Sequence, residues 1–260
     1  MHHNERIIFM QTSGGDSVGN AKARVGMLIP SSNRLAEPQF YAYMPPRIGV
    51  HTARIQMTGK HRKGLQQLLP EVAKSSQALA DAKCDVIVFH CTSNSMEHGP
   101  EGERAILETI SKNSSAISVS TAQAILSALR VSNMQKITLV SPYNQATNDH
   151  EKHYLKDFGI EVVSDVALNL PVSDGFISVT PDDWHRTVMN NARDDIDGYF
   201  LSCANATHIE AIERLEADLG KRVVCSNQAT IWWCAKKMKQ KIEGVEWKRP
   251  MGRLIELDPD

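Results

Sequence analysis

Several signatures of common protein classes are missing from this 260-residue sequence. No apolar run approaches the ~20 residues that a membrane helix needs, and the first twenty residues are polar, without the apolar core of a secretory signal. Five cysteines occur without a Cys-x-x-Cys pair, which argues against a structural zinc site. No Walker or Gly-x-Gly-x-x-Gly nucleotide motif is found. We therefore expect a cytoplasmic protein with reduced thiols, no cofactor and no metal.

Charge of either sign is also not in excess. The formal net charge is −1, with 42% hydrophobic and 23% charged residues, which is the composition of an ordinary globular protein. A balanced charge gives no global field that favours nucleic acid or an anionic membrane, so neither is an expected partner. Any attraction for a charged ligand must be local.

Two stretches of the sequence repeat one pattern. Each begins with an aspartate, continues with a short apolar run and reaches a cysteine where a strand should end. Asp197 lies 112 positions after Asp85, and Cys203 lies 112 positions after Cys91. A Gln-Ala pair follows a later strand pattern in each copy, in the same order. Although α/β repeats often look alike, these shared landmarks indicate an internal duplication.

Strand, loop and helix patterns alternate along both copies, which favours parallel pairing with helices on the sheet faces. We therefore predict an α/β fold of two pseudo-symmetric halves, each a mostly parallel sheet flanked by helices, with the active site in the cleft between them. The predicted segments are a flexible N-terminal tail (1–23), a first α/β half with Cys91 (24–134), a second α/β half with Cys203 (135–238) and a C-terminal extension (239–260).

Four local patterns add smaller expectations. Pro70 interrupts an otherwise helical apolar pattern and predicts a kink or a break. The polar residues 92–95 and the segment 171–180 are interpreted as loops. In the C-terminal extension, Trp247 and the run 253–257 are expected to pack back on the body of the protein.

Both repeated cysteines fall where a ligand site is expected. In parallel α/β sheets, ligands bind beyond the carboxyl ends of the strands. A helix is predicted after each cysteine, and a helix N-terminus favours an anion and lowers the pKa of a thiol. We therefore expect Cys91 and Cys203 to flank one cleft as reactive thiols, with a small carboxylate held between them by backbone amides and by the hydroxyls of Thr92 and Ser93.

Other candidates have structural alternatives. Free cysteine is usually buried and inert, so we assign the remaining thiols to the core: Cys84, Cys225 and Cys234. Tyr143 is either a core aromatic residue or a hydroxyl donor at the cleft. His90 and His208 stand near the two cysteines and are candidates to activate a thiol. Alternation along a strand turns His90 away from the side of Cys91, and His208 fits the start of a helix.

Five motifs stand at predicted strand ends: Pro30-Ser31-Ser32-Asn33, Cys91-Thr92-Ser93-Asn94-Ser95, Ser141-Pro142-Tyr143, Leu201-Ser202-Cys203-Ala204-Asn205 and Ser226-Asn227-Gln228-Ala229. Together they resemble the aspartate/glutamate racemase superfamily, and more closely its maleate cis-trans isomerase and arylmalonate decarboxylase branch. The resemblance runs from about residue 24 to residue 238.

This resemblance implies a cofactor-independent enzyme. Cys91 would attack the double bond of maleate, rotation would occur in a succinyl-cysteine adduct, and Cys203 would act as general acid and base. The resemblance also implies binding of carboxylates by residues around the two thiols: Ser32, Asn33, Thr92, Ser93, Tyr143, Ala204 and Asn205. A homo-oligomer, dimer or tetramer, is expected.

Three functions stay open on the sequence. The leading one is isomerisation of a small unsaturated or α-acidic carboxylate. The second is racemisation or arylmalonate-type decarboxylation in the same cleft, although decarboxylases of this branch lack the first cysteine, which is present here as Cys91. The third is a non-catalytic protein that binds small acids. Maleate isomerases tend to carry asparagine at the position of Gly175, so the sequence leaves the substrate itself open.

Overall fold

A computed structural model describes residues 21–260. The predicted tail, 1–23, lies outside the described residues except for its last three positions, and Ala23 already begins a strand. The first half contains, in chain order, β1 (Ala23–Pro30), α1 (Ala36–Tyr43), β2 (Ile48–Ile55), a 3₁₀ turn (Gly59–His61), α2 (Leu65–Asp81), β3 (Val86–Phe89), α3 (Thr92–Met96), α4 (Gly99–Asn113), β4 (Ile117–Ser120) and α5 (Thr121–Val131).

The second half repeats this order of elements. It contains β5 (Lys136–Ser141), α6 (Gln145–Asp157), β6 (Glu161–Ala167), α7 (Asp174–Ser178), α8 (Pro181–Asn190), β7 (Gly198–Leu201), a 3₁₀ turn (His208–Glu210), α9 (Ile212–Leu219), β8 (Arg222–Cys225), α10 (Ser226–Lys237) and a final 3₁₀ turn (Arg253–Glu256).

Each half is built on one four-stranded sheet. The strand order is β2-β1-β3-β4 in the first sheet and β6-β5-β7-β8 in the second, and every pairing is parallel. The central strands are almost completely buried, as expected for apolar runs covered by helices on both faces. The predicted α/β fold with two pseudo-symmetric parallel sheets is confirmed.

The repeated aspartates have the same structural role. The Asp85 carboxylate accepts a hydrogen bond from the backbone N–H of Arg24 at 2.7 Å, and the Asp197 carboxylate accepts one from Lys136 at the same distance. Arg24 and Lys136 lie in β1 and β5, the strands that neighbour β3 and β7. Each aspartate therefore joins the start of a central strand to its neighbour. The two cysteines then leave β3 and β7 at the opposite, carboxyl end.

The C-terminal extension packs back on the body of the protein, as expected. Leu254 and Met251 are buried, and Trp247 is partly buried against the core. The Trp232 indole N–H donates to the Leu257 carbonyl at 2.8 Å, and the Gln228 side chain donates to the Met251 carbonyl at 2.6 Å. These bonds tie the extension to α10.

Two of the local expectations differ from the structure. Pro70 lies inside α2, which continues unbroken from Leu65 to Asp81, so the predicted break is wrong. The segment predicted as a loop after Cys91 instead forms the short helix α3, and the loop predicted over 171–180 contains the short helix α7. Single helical turns of polar or mixed residues carry no apolar periodicity, so the sequence gives no sign of them.

Candidate active site

One small cavity lies beyond the carboxyl ends of both sheets. Its volume is about 50 Å³, and both repeated cysteines line it. The complete lining is Pro30, Ser32, Asn33, Thr58, Cys91, Thr92, Ser93, Tyr143, Val172, Ser173, Phe176, Cys203, Ala204 and Asn205. All nine site residues predicted from the sequence are in this set. The two halves therefore bring together residues that are more than 100 positions apart in the chain.

Cys91 lies two residues after the end of β3 and occupies the position before α3. Its thiol donates a hydrogen bond to the Asn94 side-chain oxygen at 3.5 Å and lies 3.9 Å from the Ser93 hydroxyl. Asn94 is itself held by a bond from its side-chain amide to the Met57 carbonyl at 3.3 Å. The sulfur is therefore fixed within the cleft by the first turn that follows it.

Cys203 follows β7 in an unusual backbone conformation. Its φ is +144°, which lies in the region that favours glycine and is costly for other residues. The Cys203 N–H donates to the Ser226 hydroxyl at 3.1 Å, and its sulfur accepts from the Asn205 N–H at 3.3 Å. These two bonds on either side of the Cα atom hold the strained conformation and direct the thiol into the cavity.

Burial decides the protonation of both thiols. It raises the pKa of Cys91 to about 11 and that of Cys203 to about 12, although hydrogen bonds to both sulfurs lower it in part. Each thiol is almost fully shielded from solvent, and desolvation disfavours the thiolate. The expectation that the following helix lowers the thiol pKa is therefore wrong for the unliganded cleft, where the loss of water outweighs the helix terminus.

Tyr143 lies at the cleft, at the carboxyl end of β5. Its ring packs edge-on against Phe176 with centroids 5.5 Å apart, and its hydroxyl lies close enough to the Cys203 thiol to lower the pKa of that thiol in part. Burial raises the pKa of Tyr143 well above its usual value, so the phenol keeps its proton. Of the two interpretations from the sequence, a hydroxyl donor at the cleft matches this position.

Hydrogen bonds across the cleft join the two halves. The Asn33 side-chain amide donates to the Ala204 carbonyl at 3.0 Å, and the Arg34 N–H donates to the Asn205 side-chain oxygen at 2.9 Å. The Asn33 side-chain oxygen also accepts from the N–H groups of residues 35 and 36. Both ends of the Asn33 amide are thus already engaged, so a bound carboxylate would compete with Ala204 for its N–H group.

Other polar groups of the cavity are free to bind a ligand. The Thr92 hydroxyl is buried and has no hydrogen-bond partner among the residues that the structure describes. Within the part of the chain that the structure describes, the Ser32 side chain pairs with Thr58 alone, hydroxyl to hydroxyl at 3.2 Å. A buried hydroxyl without a partner is costly, and a carboxylate oxygen in the cavity would satisfy Thr92.

Five lining residues were not predicted: Pro30, Thr58, Val172, Ser173 and Phe176. Pro30 is the last residue of β1, and Thr58 lies three residues after the end of β2. Because ligands bind beyond strand ends, this position could have identified both as site residues. Val172, Ser173 and Phe176 come from the segment around α7, where apolar residues among turn formers give no signal of a role in the site. This segment covers the cavity from the side of the second half.

Among residues 21–260, no lysine, arginine or histidine lines the cavity. Two arginines stand close by, but both are paired: Arg34 with Asp174, and Arg62 with Glu97. Arg62 and Glu97 line an adjoining outer cavity of about 180 Å³ that shares Tyr143 and Phe176 with the inner one. An anion in the inner cavity is therefore met by neutral hydrogen-bond donors.

Neither candidate histidine lies in the cavity. His90 is buried behind it, and burial lowers its pKa to about 4. His208 packs edge-on against Trp184 with ring centroids 4.2 Å apart, and burial lowers its pKa to about 3. Both side chains are uncharged, and neither reaches the cavity that the thiols line. Each histidine is therefore better explained as part of the structure than as a group that activates a thiol. Cys84, Cys225 and Cys234 are also buried outside the cavity.

Gly175 has a packing role in this structure. A Cβ atom added there would lie 2.8 Å from Pro171 Cδ and 3.1 Å from Leu170 Cβ. A side chain at this position would therefore displace the segment that covers the cavity.

The described residues show neither a cluster of metal ligands nor a membrane-spanning helix. Across residues 21–260, no group of three or more histidine, cysteine or acidic side chains is placed to hold a metal ion. None of the helices in that range is both long and apolar enough to cross a bilayer.

Comparisons with known proteins agree on one family. The arylmalonate decarboxylase family model matches residues 25–249. The maleate isomerase of Geobacillus stearothermophilus is 26% identical over 84% of this chain and 92% of its own, and that of Pseudomonas putida is 27% identical over 80% and 89%.

Solved structures show the same fold. A crystal structure of arylmalonate decarboxylase is 20% identical and covers 90% of this chain and 99% of its own, with a TM-score of 0.78. A mutant of the Nocardia farcinica maleate cis-trans isomerase with a covalently bound succinylcysteine intermediate is 20% identical and covers 85% and 93%, with a TM-score of 0.73.

Proposed function

The chain belongs to the arylmalonate decarboxylase family, and from that premise we propose that it is a cofactor-independent cis-trans isomerase of a small unsaturated dicarboxylic acid, of the maleate isomerase type. The observation that carries the proposal is the pair of thiols, Cys91 and Cys203, which two different halves contribute to one cavity of about 50 Å³. Matches to maleate isomerases over four-fifths of the chain support it.

The proposed reaction assigns a different role to each thiol. Cys91 first releases its thiol proton to solvent; its thiolate then attacks one alkene carbon while Cys203 delivers its own proton to the other, so the double bond becomes a single bond in a succinyl adduct. Rotation about that bond follows. Cys203 then removes the proton, the electron pair reforms the double bond, and the Cys91 thiolate leaves the trans product. The succinylcysteine intermediate of the Nocardia farcinica enzyme is the precedent.

Neutral donors are proposed to hold the carboxylates. The Thr92 hydroxyl, which has no partner in the described structure, and the Ser93 and Tyr143 hydroxyls face the cavity. With Ser32, Asn33, Ala204 and Asn205 they complete the proposed binding set. When Cys91 attacks, negative charge moves toward the carboxylate next to the protonated carbon, where donors in a site without water stabilise it most.

The alternative at the same site is racemisation or arylmalonate-type decarboxylation. The description of the matching family favours it, and so does Gly175, which departs from the maleate isomerase pattern. The small cavity and the presence of Cys91 favour isomerisation, because Val172 and Phe176 leave little room for an aryl group. We also propose a cytoplasmic location, supported by five unpaired thiols, and a homo-oligomer, supported by the resemblance alone.

The deciding experiment is incubation with maleate in D₂O, followed by ¹H NMR. Fumarate formation supports the isomerase, and α-deuteration of an amino or aryl acid, or loss of CO₂ from an arylmalonate, supports the alternative. Cys91→Ala and Cys203→Ala should each abolish turnover. Turnover that survives both substitutions would exclude every reaction proposed for this cleft.

A further inference from the structure

A continuous chain of buried hydrogen bonds runs behind the cavity from one cysteine loop to the other. His90, which precedes Cys91, is bonded through its Nε2 atom to the Asn227 side-chain oxygen at 2.9 Å. The Asn227 side-chain amide donates to the carbonyl of Ala204, which follows Cys203, at 3.2 Å. Two side chains thus connect the neighbours of both thiols.

The direction of these bonds is fixed by backbone carbonyls, which only accept. Asn227 must turn its N–H₂ group toward the Ala204 carbonyl, and the same group also donates to the Gln39 side-chain oxygen. Gln39 in turn donates to the Ala206 carbonyl at 3.0 Å, so its amide cannot be reversed either. The Asn227 oxygen therefore faces His90, whose Nε2 atom must carry the hydrogen.

The other ring nitrogen of His90 is then an acceptor. His90 Nδ1 lies 2.8 Å from the Thr121 hydroxyl, which is 3.2 Å from the Phe89 carbonyl. Thr121 has a single hydrogen for these two acceptors, and next to a neutral ring it donates to Nδ1, the nearer one, and leaves the Phe89 carbonyl. The ring also packs edge-on against Phe40, with centroids 5.1 Å apart, and is buried. Burial lowers the pKa of His90 to about 4, so the ring is neutral, and in a neutral ring both nitrogens are satisfied only in the Nε2–H tautomer.

We propose that His90 is a positioning residue, which as the neutral Nε2–H tautomer works through Asn227 to hold the Cys91 and Cys203 loops in register across the cleft. Because the proposed reaction needs both sulfurs on one small substrate, a shift of one loop relative to the other separates the attacking atom from the proton donor. The expected loss of kcat in His90 variants rests on the proposed function. The expected tautomer of His90 rests on the hydrogen bonds and on burial, and does not depend on the reaction.

The first test measures the tautomer without any substrate. In ¹⁵N NMR, His90 should show a slowly exchanging Nε2–H and an unprotonated Nδ1, unchanged between about pH 5.5 and 8.5 because burial keeps its pKa near 4. An Nδ1–H tautomer, or a titration within this range, would overturn the inference even if the enzyme were inactive on maleate.

The second test measures turnover of maleate in matched variants. His90→Leu should lower kcat by about 100-fold, the scale of a misplacement by about 1 Å, and change KM much less. His90→Gln keeps an N–H donor for Asn227 and should recover most of the loss. Asn227→Leu should resemble His90→Leu, because it removes the bond to Ala204.

The control is His208→Leu, which replaces an equally buried histidine that makes no hydrogen bond in the described structure. Its kcat should match the wild type. Equal losses of kcat in His208→Leu and His90→Leu, or no recovery of kcat in His90→Gln, would show that His90 contributes by packing alone. If the wild-type enzyme produces no fumarate, the isomerase proposal fails. The inference about His90 is then tested by the ¹⁵N NMR measurement of its tautomer alone.

Discussion

The two halves use one backbone plan but hold their cysteines in different backbone conformations. β3 and β7 have the same length, and Cys91 and Cys203 follow them at the same distance. Yet Cys91 has an extended backbone, with a φ of −146°, and its thiol donates to the Asn94 side chain, whereas Cys203 has a φ of +144° and its sulfur accepts from the Asn205 N–H. The repeat therefore determines where each sulfur lies, and the residues after the strand determine what each sulfur can do.

The difference in role is tested first by replacing each thiol with a hydroxyl. Cys203→Ser should lower kcat by about 100- to 10,000-fold, the usual contribution of a general acid and base, while Cys91 still captures substrate. Cys91→Ser should lose both turnover and capture. Mass spectrometry of each variant after incubation with maleate measures an adduct of one substrate mass. An adduct in Cys91→Ser but not in Cys203→Ser would exchange the two roles.

The shared burial of the thiols predicts a common pH response. Because the pKa values are raised to about 11 and 12, both groups are protonated at pH 7, and the thiolate fraction grows about tenfold per pH unit up to the pKa. Alkylation by iodoacetamide should follow this slope from pH 7 to 9, with Cys91 modified first. A rate that levels off near pH 7 would show that one thiol is a thiolate at neutral pH.

A packing difference separates the starts of the two central strands. The first half has Val86 where the second has Gly198, and a Cβ atom on Gly198 would lie 2.4 Å from the Arg222 carbonyl oxygen. Gly198→Ala should therefore lower the free energy of unfolding by about 1–3 kcal/mol, measured by urea denaturation. A Cβ atom on Gly64 would have no neighbour within 4 Å. Gly64→Ala should therefore lower the free energy of unfolding by less than about 1 kcal/mol. Equal costs would mean that β8 shifts to accommodate the methyl group.

The smallest expected effect concerns the matched caps of α5 and α10. The Ser120 hydroxyl accepts from the Gln123 N–H at 2.9 Å, and the Cys225 sulfur accepts from the Gln228 N–H at 3.4 Å. Ser120→Ala should lower the free energy of unfolding by about 1–3 kcal/mol, because it removes the cap and also the hydrogen bond that the hydroxyl donates to the buried Glu103 carboxylate. Cys225→Ser replaces a weak acceptor with a strong one and should change stability by less than half of that. A larger loss on thermal unfolding would show that the sulfur contributes by packing and not as a cap.

Much of this architecture could be predicted because buried parallel strands appear in the sequence as short apolar runs that are easily recognised. The apolar runs before Cys91 and Cys203 identify β3 and β7, and polar residues at their ends identify the cleft. What covers the cleft could not be predicted, because Val172 and Phe176 lie in a segment without periodicity. The thiol pKa values were also misjudged, since the sequence indicates a helix after each cysteine but not how completely the folded cleft excludes water.

The backbone of Cys203 implies a conflict between stability and activity. Glycine adopts a positive φ without a steric cost, whereas other residues in such conformations cost on the order of 1–3 kcal/mol. Cys203→Gly would release this strain but also remove the thiol. If the proposed role of that thiol is correct, the variant with the more relaxed backbone is inactive, and the folded enzyme carries the strain as a condition of its chemistry.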